Sequence, residues 1–242
     1  MRITFIGTSH GYPEKNRKCT CILLEIGEKK YFLDMGCNPL EYLADHGMHI
    51  RDVTAAFISH THGDHINGII PITEVINSAF RDATIAFYVP TLAVVDAING
   101  FKAMNGAVLR DSVPFHQITE GVFYDDGVLR VTAYRNGHTA CSYSFLFEAE
   151  GKTAFFTGDL SPRGAVEEYP QTVKRQYDFV ACEGAHMWPI EYREAFEAIP
   201  QKQIWFYHYI PGPCQEQILQ LREELKAIVP IHLATDGCVV EI

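Results

Sequence analysis

The sequence predicts one α/β domain in which sheets are covered by helices. Three observations carry this reading. Short runs rich in Val, Ile, Phe, Tyr and Thr, bounded by Gly, Asp or Asn, recur along the chain. Stretches of helical periodicity are interleaved with them. No linker, low-complexity tract, internal repeat or break in composition divides residues 1–242. Strands and helices mixed throughout argue for layers around a shared core.

Strands are expected first at Ile3–Ile6, Thr20–Ile26, Lys30–Leu33 and Ala55–Ile58. The pattern continues at Thr84–Val89, Val128–Tyr134, Tyr143–Glu148 and Thr153–Phe156, then at Phe179–Ala181, Gln203–Phe206 and Val239–Glu241. Helices are expected at Pro39–His46, Pro71–Phe80, Leu92–Met104, Gly164–Gln176, Tyr192–Ala198 and Gln215–Val229. The last is the clearest, with Ile218, Leu221, Leu225 and Ile228 on one face.

Composition narrows the class. Apolar residues make up 47% and charged residues 21%, which allows a sizeable core and no disordered tract. The formal net charge of −10 disfavours long nucleic acids as partners. Lys15, Arg17 and Lys18 form the one small basic cluster, read as a solvated loop. The apolar run in "MRITFIGTSHG" is too short for a signal peptide, and no stretch approaches the roughly 18 apolar residues of a membrane span. The seven cysteines lack zinc-finger spacing. Cys19 and Cys21 stand two apart on what looks like one strand, so they share a face. All seven read as reduced and mostly buried, which implies the cytoplasm.

The chemistry collects in "FISHTHGDHINGI", Phe57–Ile69. An apolar strand ends just before His60, His62, Asp64 and His65. Gly63 allows a tight turn, and Asp64 favours a helix start. Imidazole and carboxylate suit zinc, manganese or iron. Histidines packed this closely need a common counter-charge, which a metal supplies. Other expected strands also end in polar groups: Asp34 after Tyr31–Leu33, His138 after Val131–Tyr134, and Asp159 after Ala154–Phe156. Glu183 and His186 follow Phe179–Ala181, and His208 follows Ile204–Phe206.

In these motifs the chain resembles the metallo-β-lactamase superfamily of binuclear metallohydrolases. His60-x-His62-x-Asp64-His65 matches the signature, and Thr157-Gly158-Asp159 fits closely. His138 and His208 stand in family order, and the likeness runs from Asp34 to His208. The resemblance implies an αββα sandwich of two mixed sheets, helices outside, with the site at one edge. It implies that His60, His62 and His138 bind one metal and that Asp64, His65 and His208 bind a second. Asp159 would bridge both, and Asp34 would hold the histidine loop by hydrogen bonds. Two metals roughly 3.5–4 Å apart hold a water between them and lower its pKa, so the nucleophile would be a hydroxide rather than a side chain.

The opening "IGTSHGYPEKNRKCTCILLEI" and the ending "HLATDGCVVEI" look like the phosphodiesterase branch. That branch includes ribonuclease Z, a tRNA 3′-processing endonuclease, and bacterial cyclic-phosphate phosphodiesterases. Gly7–Gly11 would border the site, with His10 in reach of a substrate phosphate. Two departures weigh against ribonuclease Z itself. Cys182 stands where its histidine precedes the glutamate, and no basic Gly/Pro-rich arm is present. His186, oriented by Glu183, would take over as proton donor. The sequence thus points to a binuclear hydrolase of a small or cyclic phosphodiester, with Asp64, Glu183 and His186 in the reaction. A thioester or lactone hydrolase, a tRNA-processing endoribonuclease and a non-catalytic metal sensor are the rivals. β-Lactamase activity is disfavoured by the missing export signal. Zinc is the expected metal, with manganese, iron and nickel compatible; a homodimer is compatible too.

His46, His49, His116 and His232 match no ligand motif and read as structural or surface groups. Trp188, Pro189 and Tyr209 adjoin candidate site residues, either walling a pocket or packing in the core. Asp236-Gly237 reads as a turn before the last strand.

Overall fold

The apolar faces of the strands close against one another as two sheets. The computed structural model describes residues 1–242. The first half supplies β1 (Arg2–Gly7), β2 (Cys21–Ile26), β3 (Lys29–Met35), β4 (Val53–Phe57), β5 (Ala86–Val89) and β6 (Phe115–Gln117). The second supplies β7 (Gly121–Asp125), β8 (Arg130–Arg135), β9 (Tyr143–Ala149), β10 (Lys152–Phe156), β11 (Phe179–Gly184), β12 (Ile204–Tyr209) and β13 (Ile231–Leu233). β14 (Cys238–Glu241) returns to pair with β1. The sheet orders are β14-β1-β2-β3-β4-β5-β6 and β13-β12-β11-β10-β9-β8-β7.

Each sheet begins as an antiparallel meander and continues as parallel strands reached through helices. The two halves therefore repeat one topology without repeating sequence. The helices are α1 (Pro39–Asp45), α2 (Gly63–Ile66), α3 (Ile69–Ser78), α4 (Ala93–Ala103), α5 (Gly164–Glu167), α6 (Tyr169–Thr172), α7 (Arg193–Ala198) and α8 (Pro213–Leu225).

Three apolar layers result. Phe5, Phe57, Phe145, Phe147, Phe156 and Tyr207 fill the space between the sheets. Phe57 and Phe147, from opposite sheets, have ring centroids 5.8 Å apart. Burying each such side chain contributes roughly 1.5–3 kcal/mol. The outer face of the first sheet packs against Leu43, Ile72, Ile76 and Ile98 of α1, α3 and α4. That of the second packs against Tyr169, Phe196, Ile218 and Leu221 of α6, α7 and α8. This is the αββα sandwich that the resemblance implied.

Several expectations need correction. The Gly164–Gln176 helix is two short ones, α5 and α6, ending at Thr172, because Pro170 lacks the N–H that would continue the hydrogen-bond ladder. α8 stops at Leu225, so Ile228 is 45% exposed instead of joining the buried face. β6, β7 and β13 lie outside the expected strands: β6 and β13 are three residues each, and β6 and β7 are sheet edges with exposed positions. Cys19 precedes β2 and bridges to Ser9, so it does not share a strand with Cys21. All seven cysteines are unpaired, and four of them are buried.

Two bulges re-aim side chains at one edge of the sandwich. Cys21 lies opposite Met35 and Ile22 opposite Leu33, which leaves Asp34 looped out of the ladder. Glu183 lies opposite Tyr207 and Gly184 opposite Tyr209, which leaves His208 looped out. Both residues are left-handed, with φ of 54° and 48°. A bulge aims a side chain off the regular alternation, and Asp and His tolerate this backbone region better than branched residues do.

Gly36 follows the first bulge. A Cβ there would lie 1.6 Å from the Asp64 carbonyl oxygen. Gly36→Ala is therefore expected to push α2 away from β3 and lower stability by about 1–3 kcal/mol. A wild-type urea midpoint for that variant would contradict this packing.

Candidate metal centre

The strand ends converge at one edge of the sandwich. After β4, Ser59 donates through its N–H to Asp34 Oδ1 (2.7 Å) and through its hydroxyl to Oδ2 (2.8 Å). His65 Nδ1 pairs with the same Oδ2 at 2.8 Å. The bulged Asp34 thus ties both ends of the His60–His65 turn to β3. His65 presents its other nitrogen to the site, a pattern typical of ligating histidines.

Asp159 enters from β10 through Gly158, whose φ of 59° turns the chain inward. Its Oδ2 lies 3.6 Å from His60 Nε2, 3.3 Å from His65 Nε2, 3.7 Å from His138 Nε2 and 3.3 Å from His208 Nε2. Asp64 Oδ2 lies 3.6 Å from His65 Nε2 and 3.8 Å from His208 Nε2. His62 Nδ1 and His138 Nε2 are 3.1 Å apart. Donor atoms within 4.8 Å of one another form three sets: His60, His62, His138 and Asp159; Asp64, His65 and His208; and Asp159, His186 and His208. All seven residues expected as ligands therefore meet in one place. His46, His49, His116 and His232 belong to none of these sets.

The charges are strongly coupled. Burial and the neighbouring imidazoles push His60 far below the ordinary histidine range. Burial also lowers His138. For His65, burial acts downward but the carboxylates of Asp159 and Asp34 outweigh it and raise the ring. Burial opposes ionisation of Asp159, yet His208 and His65 hold its carboxyl well below the usual range. The site therefore sets the buried carboxylates of Asp34, Asp64, Asp159 and Glu183 among competing imidazoles.

Glu183 is fully buried at the end of β11 and accepts the N–H groups of Leu160 (3.1 Å), Ala185 (2.7 Å) and His186 (3.1 Å). His186 Nδ1 lies 3.2 Å from Glu183 Oε1 and 3.8 Å from Asp159 Oδ2. Burial lowers its pKa, but the Glu183 contact more than reverses this. Cys182, one residue earlier, points into the helix-covered core. His10 is half-buried, its ring 6.3 Å from that of His208, and burial lowers its pKa. The next residue, Gly11, donates its N–H to Asp64 Oδ2 at 2.7 Å.

Three contributors were not legible as such. Arg17 is not solvated: it donates to the Thr8 and Tyr209 carbonyls, pairs with Glu14 at 2.7 Å and lies over the Tyr209 ring. Asp236 does more than make a turn: it accepts Thr8 N–H (2.9 Å), Thr8 Oγ1–H (2.8 Å) and Lys18 N–H (2.6 Å). Thr20 Oγ1 pairs with His208 Nδ1 at 2.8 Å. Of the three candidate pocket walls, Tyr209 and Pro189 are buried in packing, and Trp188 alone is exposed.

Asp236 thus anchors the 8–18 loop that presents Gly11 to Asp64. Asp236→Ala is expected to speed amide exchange at Thr8 and Lys18 and to lower stability by about 1–3 kcal/mol. Unchanged exchange at both amides would show that the loop holds without it.

Known proteins share this architecture. A family model, that of the anti-Pycsar protein Apyc1, matches residues 1–226. A ribonuclease Z from Methanothermobacter thermautotrophicus is 28% identical over 155 residues, covering 64% of this chain and 50% of that protein. The chain thus spans about half the length of the curated relatives it matches. Among solved structures, the metallo-beta-lactamase fold protein YhfI from Bacillus subtilis superposes with a TM-score of 0.81 at 17% identity, covering 100% of this chain and 99% of its own. The short form of human tRNase Z gives 0.75 at 19% identity, covering 100% and 99%. These likenesses show the metallo-β-lactamase fold. With the family match running from the first residue through α8, the chain belongs to the family of the anti-Pycsar protein Apyc1, and it has the metallo-β-lactamase fold.

Proposed function

We propose that the protein is a binuclear metal-dependent hydrolase that cleaves a small or cyclic phosphodiester. The observation that carries this reading is a set of buried donors left without partners. His60 Nε2, His65 Nε2 and Asp159 Oδ1 are inaccessible to solvent and make no hydrogen bond. Orphaned buried polar atoms are costly and rare. A cation among them would satisfy all three, so the residues present fit divalent metals.

His60, His62 and His138 would hold one ion, and Asp64, His65 and His208 the other, with Asp159 shared between them. Bound there, the ions supply an acidified water and positive charge facing the phosphate oxygens. The chain's own groups do the rest. Asp34 and Thr20 fix the imidazole orientations of His65 and His208 from behind. Gly11 orients Asp64 through its N–H. Glu183 holds His186 Nδ1, which leaves Nε2 to deliver a proton to the leaving alkoxide. His10 stands on the His208 side, where a phosphate oxygen would approach.

Ribonuclease Z relatives raise a second reading, cleavage of tRNA. The small phosphodiester is favoured because Arg17, in the loop that reaches Asp64, is consumed by internal bonds. The overall charge is also acidic. No helix of the chain is long and apolar enough to cross a membrane.

Asp159→Ala is expected to abolish hydrolysis of bis-p-nitrophenyl phosphate and to lower metal content; a metal-replete, active variant would refute the shared-ligand role. His186→Ala should cut turnover about 10²–10⁴-fold, as loss of a general acid does, with metal content intact. Metal loss in that variant would instead make His186 a ligand. Turnover of a thioester in preference to the phosphodiester would move the reaction to another ester class on the same centre.

A further inference from the structure

The candidate ligands are not all held alike. His65 and His208 are each held from behind, by Asp34 and Thr20, and Asp64 is held by the Gly11 N–H. His138 is different. Its hydrogen bonds are at the backbone N–H and at Nε2, which faces His62. Its orientation therefore comes from the turn that carries it, residues 136–142 between β8 and β9. Whatever fixes that turn fixes His138.

Asn136 closes the turn. It follows β8 directly and is 7% exposed. Its N–H donates to the Ser142 carbonyl at 3.1 Å. Its Oδ1 accepts the His138 N–H at 3.4 Å and the Ser142 hydroxyl. That hydroxyl in turn accepts the Thr139 N–H at 3.0 Å. The Nδ2 of Asn136 donates the other way, to Ser144 Oγ at 3.3 Å and to the Thr157 carbonyl at 3.4 Å. Thr157 stands two residues before Asp159, and its Oγ1 accepts the Glu183 N–H at 3.0 Å. Beyond the turn, the Tyr143 N–H crosses to the other sheet and reaches the Ser59 carbonyl, next to His60, at 3.1 Å. The turn is thus tied at one end to the strand that delivers Asp159 and at the other to the strand that delivers His60.

The longer of these contacts are individually weak. Four of them meet on one buried side chain, where low local dielectric strengthens each. The chemistry of the partners selects the residue. Ser144 Oγ and the Thr157 carbonyl need a donor, and the His138 N–H and the Ser142 hydroxyl need an acceptor. A primary amide supplies both, whereas an ionised carboxylate of the same shape only accepts.

We propose that Asn136 is a positioning residue for one ion of the pair, the one held by His60, His62 and His138, and that its amide sets His138 at bridging distance from Asp159. The inference rests on the binuclear reading and assigns this support to one ion alone. Asp159 keeps its place without the amide, because the Thr157 N–H also pairs with the Ala181 carbonyl at 3.0 Å. The loss therefore falls on His138.

The test is titration of cobalt(II) into the metal-free protein, with each equivalent read by its visible absorption. The wild type should take up two. Asn136→Asp should hold one equivalent about 10- to 100-fold more weakly, with altered absorption, and leave the other unchanged. Asn136→Ser keeps an acceptor near the His138 N–H but is too short to reach Thr157. It should weaken the same equivalent, and it carries the test if the aspartate variant does not fold. In a His138→Ala background, Asn136→Ser should change the remaining affinities by no more than about twofold, since the side chain it orients is gone. Two unchanged equivalents in both Asn136 variants would overturn the proposal. So would equal weakening of both, which marks a general loss of packing, or a further large loss in the His138→Ala background. A wild type that binds fewer than two ions would remove the binuclear reading itself, and the proposal with it.

Discussion

Asp159 is the fixed point of this molecule. Its carboxylate is 2% exposed and stands within 3.7 Å of four imidazoles that arrive from β4, α2, β8 and β12. Gathering that much unpaired polarity in one dry place is unfavourable by itself. It is tolerated because the surrounding sandwich over-determines it. Aromatic packing between the sheets fixes the strand ends, and bulges at Asp34 and His208 aim side chains that a regular ladder would point elsewhere. The left-handed backbone at both positions is strain held at the candidate centre by the packing around it.

Support for the centre runs outward in layers. Asp34 secures the histidine turn, Glu183 secures both His186 and the Leu160 backbone beyond Asp159, and Thr20 secures His208. A further layer holds the N-terminal loop. Asp236 clamps Thr8 and Lys18, and Arg17 ties Thr8 to Tyr209, so that Gly11 reaches Asp64. The end of the chain thus shapes one side of the site, although β14 lies in a different sheet from β12. The layered support explains why a single mobile loop does not carry the chemistry. Six strand ends, those of β3, β4, β8, β10, β11 and β12, bring its residues together.

Much of this was legible in the sequence. The cluster from His60 to His65 announces itself, because no ordinary turn gathers such titratable groups. Asp34, His138, Asp159 and His208 were visible because each follows an apolar run; β3, β10 and β12 each have a parallel neighbour and deliver their ends to one edge, and β8, two antiparallel steps from β10, ends at the same edge. The rest was hidden for physical reasons. The role of Asp236 depends on a contact with Thr8, 228 residues away. Arg17 looked solvated because only the fold brings Tyr209 over its guanidinium. The bulges at Asp34 and His208 depend on how partner strands register, which local pattern does not encode. The break at Pro170 is written in the sequence, but helical spacing on both sides of it masks the interruption.

The central claim is that the buried donors exist to hold two metal ions. Elemental analysis of the purified wild-type protein, after reloading with zinc and removal of excess, tests it most directly. The predicted result is two equivalents per chain, retained through gel filtration. Less than one equivalent per chain, after reloading with zinc and again with manganese, would contradict the claim and leave the cluster around Asp159 without a purpose.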